Sequence, residues 1–432
     1  MDAPCEPTPM ASVAPHTPDV AAEGDARRRW LGGDRFTTLW TATAAGNLGD
    51  GLFKTALPVI AVRLTHSVSL VAGVTFAMTL PWALFALPAG ALVDRLDRRR
   101  LMVIASGARV VALTLLGVSA ATHVAELPVL YVAAFALGVC ETVFDTAAGA
   151  ILPAIIPRER LEWANARLLA AETVLNEFAG PPIAGLLLAL GTTLAVGGSA
   201  LTYLLVIAAM SLLRGSFRIR RETSTRVLAD IGEGLRFVWR EPVLRTLSAM
   251  TAVMAGSWSA WQAVLVLFAI HGPLHLTTVE YGLLLSLLAV GGLAGTILAT
   301  RAQQRLGPRA VIAADIVATA VMLGVPALTT SIVAVGAATL VGGVGSGMWN
   351  VVVVSLGQRI APDALLGRVR ASSRLLGWGT MPLGAALGGV IAQVAGVQAV
   401  FAVGAVLTIA LLVPLVRVMT PAALARAQTP EL

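Results

Sequence analysis

Long apolar segments separated by short polar loops make up most of the chain. Each segment is close in length to the about 20 residues that a helix needs to cross the hydrocarbon core of a bilayer. The segments lie at residues 36–62, 69–93, 101–122, 127–151, 166–190, 194–213, 243–270, 279–300, 309–330, 332–356, 370–395 and 397–419. The pattern predicts an all-α membrane protein with twelve transmembrane helices.

Arginines occupy alternate loops, as expected if this segmentation is correct, because basic residues in short loops stay on the cytoplasmic side during insertion. The basic connections carry Arg95, Arg98, Arg99 and Arg100; Arg158, Arg160 and Arg167; Arg214 through Arg245; Arg301, Arg305 and Arg309; and Arg359, Arg368, Arg370 and Arg374. The intervening loops near 123–127, 191–194, 329–332 and 395–398 carry none, and Arg63 is the one exception. We therefore expect a multi-pass protein of the cell membrane with both termini in the cytoplasm.

A polar stretch at residues 214–242 divides the chain almost in half. Within it, apolar residues from Val227 to Val238 recur at roughly helical spacing, which predicts a helix lying along the membrane surface. The predicted units are a disordered cytoplasmic tail at 1–35, a first six-helix bundle at 36–213, a cytoplasmic linker at 214–242, a second six-helix bundle at 243–419 and a cytoplasmic tail at 420–432.

Two landmarks recur with nearly the same spacing. The turn that begins at Gly90 has an eroded copy that begins at Gly295, 205 residues later, and Arg167 and Arg374 end two similar segments 207 residues apart. Six helices bring the chain back to the side of the membrane on which it started, so the two repeats have the same orientation. This is the arrangement of parallel repeats related by an axis along the membrane normal. The sequence thus predicts two pseudo-symmetric bundles.

Composition agrees with a membrane protein and argues against several other classes. The chain is 57% hydrophobic and 13% charged, against about 25% charged residues in soluble domains. The net charge of +7 is spread through short loops without interleaved aromatic residues, so we expect no nucleic-acid partner. The sequence has no nucleotide-binding glycine loop and no histidine cluster with metal spacing, so we expect no enzyme, no cofactor and no metal site.

The turn Gly90-Ala-Leu-Val-Asp94-Arg95-Leu-Asp97-Arg98-Arg99-Arg100 resembles the loop 2–3 signature of the major facilitator superfamily, with Asp97 in place of the usual second Gly. Together with Asn47-Leu-Gly-Asp50, Arg109 and Pro153-x-x-x-Pro157-Arg-Glu-Arg-Leu-x-x-Ala-Asn165, it is similar to the exporter branch that holds macrolide-efflux and enterobactin-export proteins. The resemblance covers residues 36 to about 419. It implies a two-bundle transporter that works by alternating access through a cavity between the bundles.

The same resemblance implies a gating loop made of Gly90, Asp94, Arg95, Arg98 and Arg99. A carboxylate near a helix N-terminus is favoured by the helix dipole and can pair with Arg across the bundle interface. Asp94 would then stabilise the outward-facing state. The alternative is that the Arg cluster only anchors the topology, and both can hold.

Charged residues inside the apolar segments are candidates for function, because a charge at the bilayer centre costs about 2.5–3.5 kcal/mol on insertion scales. They are Asp50, Lys54, Arg109, Glu141, Asp145, Glu172, Glu177 and Asp315. Asp50 and Lys54, at i and i+4, share a helix face and can pair. Asp50 either lines the cavity, where it binds a proton or a cationic substrate, or forms a structural pair with Lys54.

Arg109 can reach Glu141 or Asp145 if their helices are neighbours. One ionised and one titratable carboxylate would suit a proton relay, and a buried structural clamp is the alternative. Glu177 lies deeper in its helix than Glu172. We therefore expect Glu177 to couple transport to protons or to contact substrate, and Glu172 to act as a gate or clamp nearer the cytoplasm. Asp315 is expected to pair with a cytoplasmic Arg.

Gly180-Pro181-Pro182-Ile-Ala-Gly185 resembles the antiporter motif of exporters in the superfamily, although the double Pro and the single final Gly depart from it. Small residues permit close helix contact and Pro introduces a kink. In the second half the candidates for lining the cavity are aromatic or neutral, with packing as the alternative for each Trp. They are Trp258, Trp261, Gln262, Met348, Trp349, Asn350, Trp378 and Met381.

The first functional hypothesis is a monomeric secondary active transporter that exports drugs or amphipathic metabolites in exchange for protons. The second is a proton-coupled importer of a small solute, which should show more convergent polar groups in both halves. The third is a non-transporting membrane receptor on the same fold. The retained buried charges and both basic loops argue against the third.

Overall fold

A computed structural model of the chain describes residues 33–213, 215, 217, 227–362, 365–420 and 423. Helices are the only regular secondary structure in these residues, because long apolar runs without turn residues favour continuous helix. The helices of the first half are α1 (Gly33–Leu64), α2 (Val68–Arg95), α3 (Arg98–Thr122), α4 (Glu126–Ile155), α5 (Leu161–Leu190) and α6 (Thr192–Leu212).

The second half begins with α7 (Val227–Arg240) and α8 (Pro242–His271). The segment Thr278–Leu328 follows, and the backbone of Gly307, with φ at 79°, divides it into α9 before this residue and α10 after it. The remaining helices are α11 (Ile332–Ile360), α12 (Leu366–Gly379), α13 (Met381–Ala395) and α14 (Val397–Val418).

Twelve membrane spans agree with the prediction from the apolar segments. Ten helices of the described residues are long and apolar enough to cross a bilayer. One of them is Thr278–Leu328, which supplies two spans because it bends at Gly307. The twelfth is α1, whose 32 residues include the charged Asp50 and Lys54. The predicted span at 370–395 is two helices, since α12 ends just before Pro382.

Parts of the predicted organisation fall beyond the described residues. They are nearly all of the tails at 1–35 and 420–432 and the linker between 218 and 226. The predicted linker helix is present as α7. It packs on α12, and an ion pair of 2.5 Å joins Glu233 of α7 to Arg368 of α12.

The helix pairs of the first half recur in the second. In the first half, α1 packs on α5 and α6, α2 on α4, and α3 on α4 and α6. In the second half, α8 packs on α13 and α14, α9 on α11, and α10 on α11 and α14. Between the halves, α5 packs on α9 and α2 on α13, which are also equivalent pairs. The two bundles are therefore pseudo-symmetric.

The two bundles share an apolar core at one end only. We call the end that carries the α2–α3 loop the basic end and the opposite end the far end. The largest cluster of buried apolar side chains combines the first bundle with Leu265 and Phe268 at the end of α8 and Tyr281 at the start of α9. A separate cluster around Leu247 and Ile312 fills the second bundle nearer the basic end. The bundles are thus joined mainly at the far end.

Glycines let α9 and α11 pack backbone against backbone. A Cβ atom on Gly343 would clash with the carbonyl oxygen of Leu288, and one on Gly347 would clash with that of Gly292. Gly357, in the last part of α11, has open space where its Cβ would be. Such small-residue contacts drive helix association in lipid, where no hydrophobic difference favours it.

We expect Gly343→Ala to lower the free energy of unfolding by about 1–3 kcal/mol, because the backbone it meets cannot move aside. The control Gly357→Ala should be neutral or stabilise by up to about 1 kcal/mol, since Ala is the better helix former. Thermal unfolding of the purified protein in detergent measures both. Equal effects of the two substitutions would contradict the backbone contact.

Candidate functional site

Asp50 lies inside the first bundle and contacts residues of two other helices. Its Oδ1 is 3.2 Å from a terminal guanidinium nitrogen of Arg109 on α3 and accepts a 2.6 Å hydrogen bond from the hydroxyl of Tyr203 on α6. All three residues are buried, Asp50 at 2% exposure and the others at 0%. The pair with Lys54 that the i and i+4 spacing suggested is not formed within the described residues, because Asp50 turns toward α3 and α6.

Two aromatic rings surround the Arg109 guanidinium. Its central carbon is 4.7 Å from the ring centre of Tyr203 and 5.2 Å from that of Phe144. Such contacts stabilise a cation that has lost its water. A Cβ on Gly49 of α1 would lie 2.9 Å from the Tyr203 ring, so glycine at this position lets α1 approach.

Sequence reasoning missed Phe144 and Tyr203. The available signal was Tyr203 itself, because a tyrosine within an apolar helix needs a partner for its hydroxyl. Asp50 is that partner in the folded chain.

Lys54 pairs with Glu141 of α4, at 2.7 Å, with 35% of the lysine side chain and 9% of the glutamate side chain exposed. The predicted contact of Arg109 with Glu141 or Asp145 is therefore wrong as a direct ion pair, since Arg109 pairs with Asp50 and Lys54 takes Glu141. The charges are still close together, because Asp145 interacts electrostatically with Glu141, Asp50, Arg109 and Lys54.

Two exposed carboxylates near Lys54 form no ion pair within the described part of the chain. They are Asp145 on α4 and Glu177 on α5. Lys54 interacts electrostatically with both of them, so three helices direct charged side chains toward a common space. Glu172, one to two turns before Glu177, is exposed as well and acts on it electrostatically. We call the space bounded by Lys54, Asp145 and Glu177 the acidic chamber.

Glu177 belongs to a π-helical segment, Thr173–Ala179, which precedes Pro181 and Pro182. Proline has no N–H and its ring collides with the carbonyl four residues earlier, so the α-helical bonding pattern cannot continue through this segment. The N–H of Gly180 instead bonds to the carbonyl of Leu175, five residues back. π-Helical turns of this kind are frequent at functional sites.

The Gly-Pro-Pro motif brings α5 against α9 of the second bundle. A Cβ on Gly180 would meet Gly51 of α1, and one on Gly185 would clash with the backbone of Thr278 on α9. The contacts between α5 and α9 are concentrated in the π-helical segment and in Gly180–Leu190. The first part of α5, which ends at Glu172, takes little part in this contact, so the two bundles meet from the Glu177 segment toward the far end.

The predicted gating loop holds the first bundle together at the basic end. Arg98 donates a 2.7 Å hydrogen bond to the carbonyl of Ala150 on α4. Arg99 donates to the carbonyls of Met210 and Ser211 at the end of α6, at 2.8 and 2.9 Å. Arginines placed in this way satisfy carbonyls near helix C-termini. Both contacts lie inside one bundle and not across the interface.

The other three members of the predicted gating loop lie at the end of α2. Asp94 and Arg95 are exposed, and a Cβ on Gly90 would meet open space. Asp97, at the position of the usual second Gly, caps α3 by accepting a 3.1 Å hydrogen bond from the N–H of Arg100. It also accepts a 2.8 Å bond from the N–H of Phe217, which explains why a carboxylate suits this position.

Several candidates of the second bundle are packing residues. Trp261 is 1% exposed and lies against Trp258, with ring centres 5.9 Å apart, so its prediction as a cavity-lining residue is wrong. Trp349 packs against the apolar cluster of its own bundle. Trp378 is 42% exposed and lies against Trp82 of α2 across the bundle interface, with ring centres 4.8 Å apart and ring planes tilted by 47°.

The polar candidates of the second bundle form no charged network within the described residues. Gln262 is partly buried, and Asn350 is exposed and donates to the Ser346 carbonyl one turn earlier, at 3.2 Å. The prediction that Asp315 pairs with Arg is wrong within the described chain. It is fully buried and accepts a 3.3 Å hydrogen bond from Thr319 on the same helix.

We expect Asp50→Asn to lower the free energy of unfolding by about 3–5 kcal/mol, because it leaves the buried Arg109 guanidinium without its counter-charge. The matched variant Glu141→Gln should cost clearly less, since Lys54 is partly exposed and can reach water. Thermal unfolding in detergent measures both. Losses of the same size would contradict the dependence of Arg109 on Asp50.

Comparison with known proteins indicates the family of the chain. Residues 30–432 match the family model described as transmembrane secretion effector. The chain is 30% identical over 380 residues to the multidrug efflux pump Tap of Mycolicibacterium fortuitum, covering 84% of this chain and 90% of that protein. It is also 30% identical over 377 residues to Tap of Mycobacterium tuberculosis, with coverage of 83% and 87%.

Solved structures show the same fold at low sequence identity. A bacterial homologue of the iron transporter ferroportin, in the inward-facing state, superimposes with a TM-score of 0.71 at 18% identity, covering 88% of this chain and 98% of that one. The nucleoside transporter NupG gives 0.69 at 12% identity, with the same coverage. The chain therefore belongs to the transmembrane secretion effector family, in the drug-exporter branch of the major facilitator superfamily, and is a membrane transporter of small molecules and not an enzyme.

Proposed function

We propose that the protein exports amphipathic, basic compounds from the cytoplasm in exchange for protons, by alternating access of one acidic chamber. The observation that carries the proposal is the acidic chamber itself, with the exposed carboxylates of Asp145 and Glu177 within membrane helices. A charge kept at that depth is a functional candidate. Two relatives named as multidrug efflux pumps support the direction of transport.

The orientation follows from the arginines. The basic end carries the Arg-rich loops, which insertion leaves in the cytoplasm, so both termini are cytoplasmic in this proposal. The far end, where the bundles share an apolar core, then faces outward. The structure corresponds in this view to a state that opens toward the cytoplasm, the state in which an exporter loads its substrate.

Alternating access requires the two bundles to move as bodies around the chamber. The proposed bodies are 36–213 and 243–419, connected by the linker at 214–242. Both walls of the chamber come from one chain, so a monomer suffices. In the opposite state α5 and α9 separate at the far end, and the loop around Asp94 closes the basic end.

The carboxylates divide between two roles in this proposal. Asp50 already faces Arg109 at 3.2 Å, and Glu141 already faces Lys54 at 2.7 Å, so each has little to gain from a proton. Asp145 and Glu177 have no such partner in the described chain, and we assign proton binding to them. A proton or a cationic substrate can neutralise the same carboxylate, which makes the two compete and gives exchange.

The substrate class follows from the walls of the chamber. Lys54 is the cation that borders it, against Asp145, Glu172 and Glu177, so the chamber favours positive charge. Across the bundle interface, Trp378 lies against Trp82; Trp378 is 42% exposed, and we assign its ring to the second wall in this proposal. Aromatic faces attract cations as well as apolar groups. Compounds that combine a basic nitrogen with an apolar body therefore fit both walls.

The test is uptake of ethidium into inverted membrane vesicles whose interior is made acidic. We expect the wild type to accumulate the dye when the pH gradient is present. Glu177→Gln should reduce accumulation to the level of vesicles without the protein, because exchange in this proposal needs both proton-binding carboxylates and this variant keeps only Asp145. Glu126→Gln removes a carboxylate in the first turn of α4, at the far end and outside the chamber, and should match the wild type.

The outcomes separate the parts of the proposal. Dye extrusion from the vesicles in response to the same gradient would indicate an importer. Accumulation by Glu177→Gln that still depends on the gradient would overturn the assignment of Glu177. Accumulation that is indifferent to the gradient in the wild type would overturn proton coupling.

A further inference from the structure

The second proline of the Gly-Pro-Pro motif removes the α-helical donor of one backbone carbonyl of α5. In an α-helix the carbonyl of Phe178 would accept from the N–H four residues later, at position 182. That residue is Pro182, which has no N–H. A buried carbonyl that stays unpaired is costly, so another donor is needed at this point.

Ser286 on α9 supplies that donor. Its hydroxyl oxygen is 2.7 Å from the Phe178 carbonyl oxygen, and 3.1 Å from the carbonyl of Gly282 one turn back on its own helix. Ser286 is 5% exposed, so water has little access to the bond. The bond joins the first bundle to the second, because α5 and α9 belong to different bundles.

Close approach of the two backbones makes this bond possible. A Cβ on Gly282 would clash with the carbonyl of Pro181, so glycine at position 282 brings α9 near enough for a short serine side chain to reach α5. The acceptor, Phe178, is the residue directly after Glu177 in the same π-helical segment. The cross-bundle bond therefore ends one residue from the carboxylate that borders the chamber.

We infer that Ser286 is a gating residue of the transport cycle, which holds the far end closed by donating to the carbonyl that Pro182 frees. The inference rests on the alternating access proposed above. When α5 and α9 separate, the Phe178 carbonyl loses this donor, and the residue four positions later, Pro182, has no N–H to replace it. The bond therefore favours the closed far end over the open one. The double proline, which departs from the usual motif, creates the acceptor.

Thr278 provides a contrast on the same pair of helices. Its hydroxyl donates a 2.8 Å bond to the carbonyl of Gly185, which is also a cross-bundle contact. The residue four positions after Gly185 is Ala189, which has an N–H, so the helix can satisfy this carbonyl without Thr278. Loss of the Thr278 hydroxyl should therefore matter less, and its effect should not depend on Pro182.

The experiment measures the ratio of open to closed far ends with spin labels at Val124→Cys and Thr330→Cys. Both positions are exposed at the far end, one in each bundle, and the native Cys5 and Cys140 are replaced by Ser. Double electron–electron resonance in lipid nanodiscs gives the two distance populations. Unfolding temperatures and the ethidium assay are measured on the same proteins.

Ser286→Ala should raise the ratio of open to closed about tenfold, since it removes the cross-bundle donor from the partly buried Phe178 carbonyl in the closed state. Pro182→Ala restores the helical donor to Phe178. In the Pro182→Ala background the effect of Ser286→Ala should therefore fall to about twofold or less. Ser286→Thr, which keeps a hydroxyl, should stay near the wild type. Thr278→Val should have the same small effect in both backgrounds.

The results that overturn the inference are distinct from those that overturn the transport proposal. If the wild type shows both populations and Ser286→Ala does not change their ratio, Ser286 is not a gating residue. If Ser286→Ala has the same effect whether position 182 is Pro or Ala, the carbonyl freed by Pro182 plays no part in the gate. A single distance population in every variant would overturn alternating access, and the gating role with it.

Discussion

The structure depends on the buried ion pair between Asp50 and Arg109. It joins α1 to α3, and the Tyr203 hydroxyl extends it to α6, so three of the six helices of the first bundle meet at one carboxylate. Neither charge could remain at this depth without the other. Because α1 is fixed in rotation by this contact, Lys54, one turn further along it, points at Glu141 and borders the chamber.

The two ends of the molecule are held by different kinds of contact. At the far end, glycines bring the backbones of α5 and α9 together, and hydroxyls of Ser286 and Thr278 bond to carbonyls across the bundle interface. At the basic end, Arg98 and Arg99 bond to carbonyls of α4 and α6 within the first bundle. Contacts between small residues and single hydroxyls can break and re-form when the bundles move, whereas these arginine contacts tie helices of the first bundle to one another.

Much of the fold was predictable because the bilayer restricts the possible structures. Backbone groups in lipid must be paired internally, so an apolar run of sufficient length becomes a helix, as α2, α3 and α6 did. The breaks were harder to place. The bend at Gly307 comes from a residue with positive φ, and α12 and α13 separate at a proline within one predicted span. The π-helical turn of α5 follows from two prolines that the sequence shows, but its length depends on how α9 packs against it.

The sequence by itself determined the number of spans, the repeat, the basic loops and the set of charges placed in apolar segments, since each follows from local composition and spacing. Only the tertiary structure decided which charges pair. Residues at i and i+4 share a helix face, yet Asp50 and Lys54 turned to Arg109 and Glu141 on other helices. The physical reason is that partner choice in a bundle depends on the rotation and separation of neighbouring helices. Glycines and aromatic rings, such as Gly49 and Tyr203, set these through contacts between residues far apart in the chain.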